Sequence, residues 1–330
     1  MLKYSDFPKI DAHIHVTVKD PILLRTALDH NVHLITINTD TTVFPPLNEQ
    51  ETVALYFMKE YPLNFSYIAG FNMADWEEKY WLNNVTNKIL RSMKKGALGV
   101  KIWKNIGMDI RKKNGEFLMA DDPFFFPFFE FLINHKIPLL AHLGEPRNCW
   151  LPLEEMTTHR NRIYYSKFPK FHMFLHPEYP SYEQHIKSID AILSKFPGLN
   201  FIGAHLASLE WNYKWLAHRL DLYPNLQVDI SSRLNHLQLQ TINDYDGVRF
   251  FFIKYSDRLM YGTDIMDNPD KMEKSYHNDW LFFTTDNLLE SEEINGKFKG
   301  IKLPVEILKK LYYNNALKYY SVLQNRLNFI

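Results

Sequence analysis

The sequence predicts an α/β protein folded as a (β/α)8 TIM barrel, and three observations carry that expectation. Eight short apolar runs alternate with amphipathic or proline-started stretches along the 330 residues. One connector recurs: Tyr61-Pro62-Leu63-Asn64-Phe65, Phe196-Pro197-Gly198-Leu199-Asn200-Phe201 and Tyr223-Pro224-Asn225-Leu226 each close a helix and open a strand. Proline cannot continue the helix, and the apolar residues behind it begin the next buried strand. No glycine-rich phosphate loop follows any strand, which weakens the alternative of a doubly wound open sheet. No linker divides the chain, so residues 1–330 are expected to form one domain.

The expected strands are residues 10–16, 33–38, 64–71, 97–103, 137–142, 199–205, 226–231 and 258–264. Between them, Asp20-Pro21 starts a helix over 22–30, an acidic cap followed by proline in the first turn. Apolar spacing at Val53, Phe57 and Met58 marks a helix over 47–61, and an amphipathic helix is expected over 76–95. Asp122-Pro123 opens the next, through about 135; others are expected over 182–196, 210–223, 248–255 and 304–323. Two long irregular loops remain, 143–181 after strand five and 265–302 after strand eight. Loops of that length inside a compact domain usually carry function.

The composition is that of a globular protein, 46% hydrophobic and 23% charged, with aromatics at 15% pointing to a ring-rich core. Lys plus Arg equals Asp plus Glu at 38 each, so nothing favours nucleic acid or an anionic membrane as partner. The expected partner is a small-molecule substrate, beside at most further copies of the chain in a homo-oligomer. Cys149 is the one cysteine, which excludes an internal disulfide framework and reads as a small buried hydrophobe. Residues 1–9 lack the apolar core of a signal peptide, and no apolar run reaches membrane-spanning length. A cytoplasmic protein is expected.

The chemistry starts at Ile10-Asp11-Ala12-His13-Ile14-His15-Val16. Alternate side chains of a strand share a face, so His13 and His15 project side by side, where one divalent cation can take both imidazoles. Active sites of such barrels lie at the C-terminal ends of the strands. Here strand four carries Lys101, strand five ends at His142, strand six at His205 and strand eight at Asp264. Any one of them has a structural reading. Together they converge on one rim and point to a metal site.

With these residues in place, the chain resembles the amidohydrolase superfamily, and within it the amidohydrolase-related (amidohydrolase 2) branch. The matching residues are Asp11-Ala12-His13-Ile14-His15, Ala141-His142, Gly203-Ala204-His205 and Tyr261-Gly262-Thr263-Asp264, and Asn314-Asn315-Ala316 resembles the branch's usual C-terminal helix. The resemblance implies that His13, His15, His142 and Asp264 hold one divalent ion, zinc foremost. It implies that Asp264 acts as general base and that His205 protonates or orients the developing oxyanion. Two ions are the alternative. Lys101 would then carry a bridging carbamate, and His142 and His205 would hold the second ion. Asp11, on the histidines' face but deeper in the barrel, reads as a supporting residue, as does Asp229 on strand seven.

Arg147, Arg160, Arg162 and Arg233 lie on loops expected to overhang the mouth, and Arg suits capture of a substrate carboxylate. Arg147 and Arg233 are the foremost candidates, and Trp103 and Trp150 are candidates for the pocket wall. His30, His172 and His218 read as surface or loop residues. The function expected is metal-dependent hydrolysis of an amide, lactone or related carbonyl in a small organic molecule. The branch also contains non-oxidative decarboxylases of small or aromatic carboxylic acids, which use the same ligands. An inactive barrel serving as a binding protein is the third reading.

Overall fold

The computed structural model describes residue 4 and residues 7–328, so the reading of residues 1–9 falls largely outside the described residues. Eight parallel strands follow one another in sequence order: β1 (Lys9–Ile14), β2 (Val32–Ile37), β3 (Phe65–Gly70), β4 (Val100–Ile102), β5 (Leu139–Ala141), β6 (Phe201–Gly203), β7 (Leu226–Asp229) and β8 (Leu259–Met260). Backbone bonds from Ala12 to Tyr261 (3.0 Å) and from Asp264 to His13 (2.7 Å) bring β8 against β1 and close the barrel. All eight expected strands are present, most of them shorter than read.

The alternation of side chains divides the core. Ile10, Ala12, Ile35, Ile37, Ile68, Leu140, Ile202 and Met260 pack inside the barrel, where Ala316, Tyr319, Tyr320 and Leu323 of the C-terminal segment close them off. Residues of opposite parity, such as Leu34, Tyr67, Val100, Ile102, Leu139 and Val228, pack outward against the helices. Lys101, between Val100 and Ile102, therefore faces inward and is 3% exposed.

In β1 the register against β2 shifts between Asp11 and Ile14. Such a bulge re-aims side chains. His13 and His15 still share a face, with ring centroids 5.5 Å apart. Asp11 does not. Its carboxylate accepts from Thr263 and from the hydroxyl of Tyr276, on the helix Pro269–Thr284 outside the barrel. The expectation that Asp11 lies on the histidines' face is corrected, because the bulge interrupts the alternation on which it rested.

The long loops hold more structure than expected. Residues 143–181 contain the helix His159–Lys167 and wrap a small core of their own, Met108, Cys149, Met156, Tyr165 and Met173. Residues 265–302 contain the helix Pro269–Thr284, capped by Asn268, and a hairpin of β9 (Leu288–Ser291) and β10 (Gly296–Lys299). A helix at Leu234–Thr241 was also not expected. The final helix is broken. Val305–Lys309 runs into a π-turn, Lys310–Asn314, and then into Asn315–Tyr319 and Ser321–Asn328. The π-turn has a local cause: the carbonyl of Leu311 accepts from Tyr261 beside β8 at 2.9 Å. Among the described residues no helix is long and apolar enough to cross a membrane.

Asn315 ties this segment to the barrel. Its buried amide donates to Ser256 O (2.6 Å) and Leu259 O (2.7 Å). Asn315→Ala leaves both carbonyls unpaired, and is expected to cost about 1–3 kcal/mol in urea unfolding with an unchanged m-value.

Candidate metal centre

The site is built on backbone that ordinary strands do not supply. Asp264 follows β8 with φ +60°, and His205 follows β6 at the head of four left-handed residues, His205 to Ser208. Left-handed backbone costs about 1–2 kcal/mol per non-glycine residue, so other contacts must hold it. The amide of His205 donates to Asp229 (2.9 Å), the hydroxyl of Ser208 donates to Leu143 O (2.9 Å), and the Tyr182 hydroxyl donates to Ser208 O (2.6 Å). Gly262 lets β8 pass close to β1, since a Cβ there would lie 2.9 Å from His13 Cβ.

Hydrogen bonds fix the protonation of three imidazoles. His13 Nδ1 faces Asp229 Oδ2 at 2.9 Å, His15 Nδ1 faces Ile37 O at 2.9 Å, and His205 Nδ1 faces Ser231 O at 2.9 Å. A carboxylate or carbonyl oxygen only accepts, so each Nδ1 carries the proton and each Nε2 keeps its lone pair. His13 Nε2 lies 3.6 Å and His15 Nε2 3.4 Å from Asp264 Oδ1. His13 Nε2 is buried with no hydrogen-bond partner. Two imidazole lone pairs and a carboxylate oxygen thus face one another with no hydrogen between them. A cation relieves that repulsion, and the donor set, two imidazole nitrogens and a carboxylate, suits a divalent transition ion.

Burial pushes the His15 imidazole down to about 4 and that of His205 to about 3, so both are neutral near pH 7. Asp229 is held down at about 2, because the imidazoles of His13 and His205 and the Ser231 hydroxyl outweigh its burial. It collects donors from His13, the His205 amide and both the amide and hydroxyl of Ser231.

The structure brings His13, His15 and Asp264 within mutual reach of one ion, with His205 beside them, its ring centroid 4.7 Å from that of His13. His142 stands one step away, against His205 at 4.3 Å, and is not among the groups whose ligand atoms already converge. Lys101 lies inside the barrel, its ammonium lowered to about 8 by burial against the pull of Asp264 and Asp229. Arg233, after β7, acts electrostatically on His142 and His205. Arg147 instead lays its guanidinium 4.3 Å over Trp211, Arg160 pairs with Glu293, and Arg162 bonds the carbonyls of Leu153 and Met156. Trp103 is half-buried beside Lys104, which pairs with Glu145. Trp150 is packed, its indole donating to Pro180 O and its ring against Tyr182 and His185. His172 is on a loop as expected but is buried, bonded to Leu151 O. Burial pushes the Cys149 thiol up to about 12, which removes it as a nucleophile.

One residue of the site went unread. Ser231 is two positions beyond Asp229 and shares its face, so strand alternation pointed to it.

A closed eight-stranded barrel with a His/Asp cluster at the C-terminal rim defines a class of metal-site barrel enzymes. The Amidohydrolase family model matches residues 69–322, and the chain belongs to the amidohydrolase family, in the amidohydrolase-related branch its motifs resemble. The match begins in β3, so β1 with His13 and His15 lies ahead of it. No curated protein matches the chain. Many solved structures share the fold, among them the following three. A 2,6-dihydroxybenzoate decarboxylase complexed with 2,6-dihydroxybenzoate is 14% identical, covers 96% of this chain and 99% of its own, and has a TM-score of 0.55. A 2,6-dihydroxybenzoate decarboxylase from Rhizobium is 15% identical over 96% and 99%, with a TM-score of 0.56. An amidohydrolase II is 14% identical over 95% and 99%, with a TM-score of 0.55.

In protein dialysed against a chelator, the Hε1 resonances of His15 and His205 are expected to titrate near pH 4 and pH 3 in NMR spectra, not near 6.5. The sign follows from the neutral form being favoured in the fold. Their contribution to stability is present above pH 6.5 and is lost as the pH falls toward 4.

Proposed function

We propose that the protein is a metal-dependent hydrolase of a small organic carbonyl compound, an amide, lactone or related bond. The observation that supports this most directly is the unpartnered Nε2 of His13, aimed with His15 at Asp264. His13, His15 and Asp264 would hold one divalent ion, zinc the first candidate, with His142 or a substrate atom completing the set. When bound, the ion supplies Lewis-acid polarisation of a carbonyl and acidifies water. Asp264 is a carboxylate at working pH and can take the proton of the attacking water. His205, with Nδ1 protonated and bonded to Ser231, presents Nε2 as an acceptor, so it can pass to the leaving group the proton that Asp264 takes from the water. Asp229 acts through the imidazoles, fixing the tautomer of His13 and the backbone of His205.

A second reading, decarboxylation, draws support from the two dihydroxybenzoate decarboxylases among the similar folds. Labelled water separates the two: hydrolysis places solvent oxygen in the product, and decarboxylation releases carbon dioxide without it. Balanced charge supports a small-molecule partner over nucleic acid or an anionic membrane.

The purified protein is expected to hold about one divalent ion per chain by elemental analysis, and His13→Ala to lose it. Native protein without metal, and His13→Ala matching it in activity, overturn the reading. Asp229→Asn is expected to weaken retention of the ion about 10–100-fold in chelator competition. Lys101, as an ammonium, opposes a second ion. A ratio staying near one with added bicarbonate and in Lys101→Ala is expected, whereas a ratio near two that falls in Lys101→Ala establishes the carbamate.

A further inference from the structure

Six large apolar side chains stand exposed within residues 163–175, on the loop after β5: Ile163, Tyr164, Phe168, Phe171, Phe174 and Leu175, each 40–54% exposed. They sit on or beside the helix His159–Lys167 and the turns Pro169–Phe171 and Met173–Leu175. Tyr164 and Phe168 are one helical turn apart, with ring centroids separated by 5.1 Å, and Phe171 stacks on Tyr164 at 6.3 Å. The inner face of the same loop is already filled. Tyr165 and Met173 pack there with Met108, Cys149 and Met156, and Asn161, one turn before Tyr165, bonds Asn148 and Thr158. The outward rings are therefore not a core left open. Apolar residues exposed singly need no explanation, but a contiguous patch marks an interaction surface.

The patch carries a charge of its own. No Asp or Glu occurs between Glu155 and Glu178, a span that holds Arg160, Arg162, Lys167 and Lys170. Arg160 pairs with Glu293, and Arg162 turns to the carbonyls of Leu153 and Met156. Lys167 and Lys170 form no ion pair among the described residues, and their ammoniums lie 5.5 Å from the Phe168 ring and 4.8 Å from the Phe171 ring. The zero net charge of the whole chain is an average that hides this local surplus. Rings flanked by lysines complement the boundary of an anionic lipid layer, where rings enter between headgroups and ammoniums stay among the phosphates. A second copy of the chain complements the patch less well. Patch against patch would set Lys167 and Lys170 against their own counterparts, with no carboxylate inside the contact. We propose that this face docks the protein reversibly on an anionic lipid surface, Tyr164, Phe168, Phe171 and Phe174 entering the headgroup layer and Lys167 and Lys170 pairing with lipid phosphates and carboxylates.

The test sediments the full chain with vesicles of phosphatidylcholine alone or with about 30% phosphatidylserine, at about 50 mM salt. Partition onto the phosphatidylserine vesicles is expected to be about tenfold stronger or more, and most of that difference to vanish at about 0.5 M salt. Lys167→Glu with Lys170→Glu is expected to remove the preference for phosphatidylserine, and Phe168→Ser with Phe171→Ser to weaken binding about tenfold. All four positions are exposed, so thermal melting by circular dichroism is expected to stay near that of the wild type. Hydrogen exchange over residues 163–175 of the wild-type chain is expected to slow on phosphatidylserine vesicles and not on phosphatidylcholine alone, which locates the contact even where a variant fails to fold. No binding, equal binding to the two vesicle types, binding unaltered in either folded variant, or unchanged exchange over residues 163–175 overturns the proposal. A dimer in sedimentation velocity that Phe168→Ser with Phe171→Ser dissociates, without vesicle binding, also overturns it and assigns the face to a second copy.

Discussion

The site depends on where three protons sit. Asp229, Ile37 O and Ser231 O each take an Nδ1–H, and so leave an Nε2 lone pair on His13, His15 and His205, those of His13 and His15 toward Asp264. Without those acceptors each ring could flip or change tautomer, and the lone pairs facing Asp264 would be replaced by ordinary N–H···O bonds. The cluster is therefore held in an arrangement that is unfavourable by itself and favourable around a cation. Asp229 matters most, because the same carboxylate also receives the His205 and Ser231 amides. One buried carboxylate couples β1, the turn after β6 and the end of β7.

The backbone carries a matching constraint. The turn from His205 to Ser208 is left-handed at residues with side chains, and Asp264 and Ser232 also have φ near +60°. These positions lie after β6, β8 and β7, on the rim, and they persist because surrounding bonds over-determine them. The hydroxyls of Ser208 and Tyr182 hold the first of these turns. Asp11 holds β8 from outside the barrel, accepting the amide of Thr263 at 3.0 Å and its hydroxyl at 2.6 Å, next to Asp264. The acidic residue of the first motif thus positions the last ligand without facing the centre.

Much of this was legible in the sequence, and the reasons differ by element. Each strand is a short apolar run ended by a helix or turn signal, so the number and order of strands could be read even where the ends could not. His13, His15, Asp264 and His205 were legible because strand-end positions converge in any such barrel. The face of Asp11 was not, because one bulge residue reverses parity and leaves no mark in composition. The helix Pro269–Thr284 begins at Asn268-Pro269 and buries Met272, Tyr276, Trp280 and Phe283 at helical spacing; its many charged residues masked that stripe. Arg147 and Arg233 looked alike as loop cations. Only the fold shows one spent on Trp211 and the other acting through its charge on His142 and His205.

Charge decides how many ions such a centre can hold. Inside the barrel the carboxylates of Asp264 and Asp229 and the ammonium of Lys101 share one low-dielectric space, where like charges repel strongly. One divalent ion beside Asp264 and Lys101 leaves a positive surplus that Asp229, engaged by four hydrogen bonds, only partly offsets. A second ion would add two more charges beside the same ammonium. It becomes tolerable only if Lys101 itself turns negative, so the count of ions and the chemical state of one lysine are a single question. On the proposed reading, with Lys101 as an ammonium, the charge balance would favour one ion and a substrate oxygen drawn in by the remaining charge.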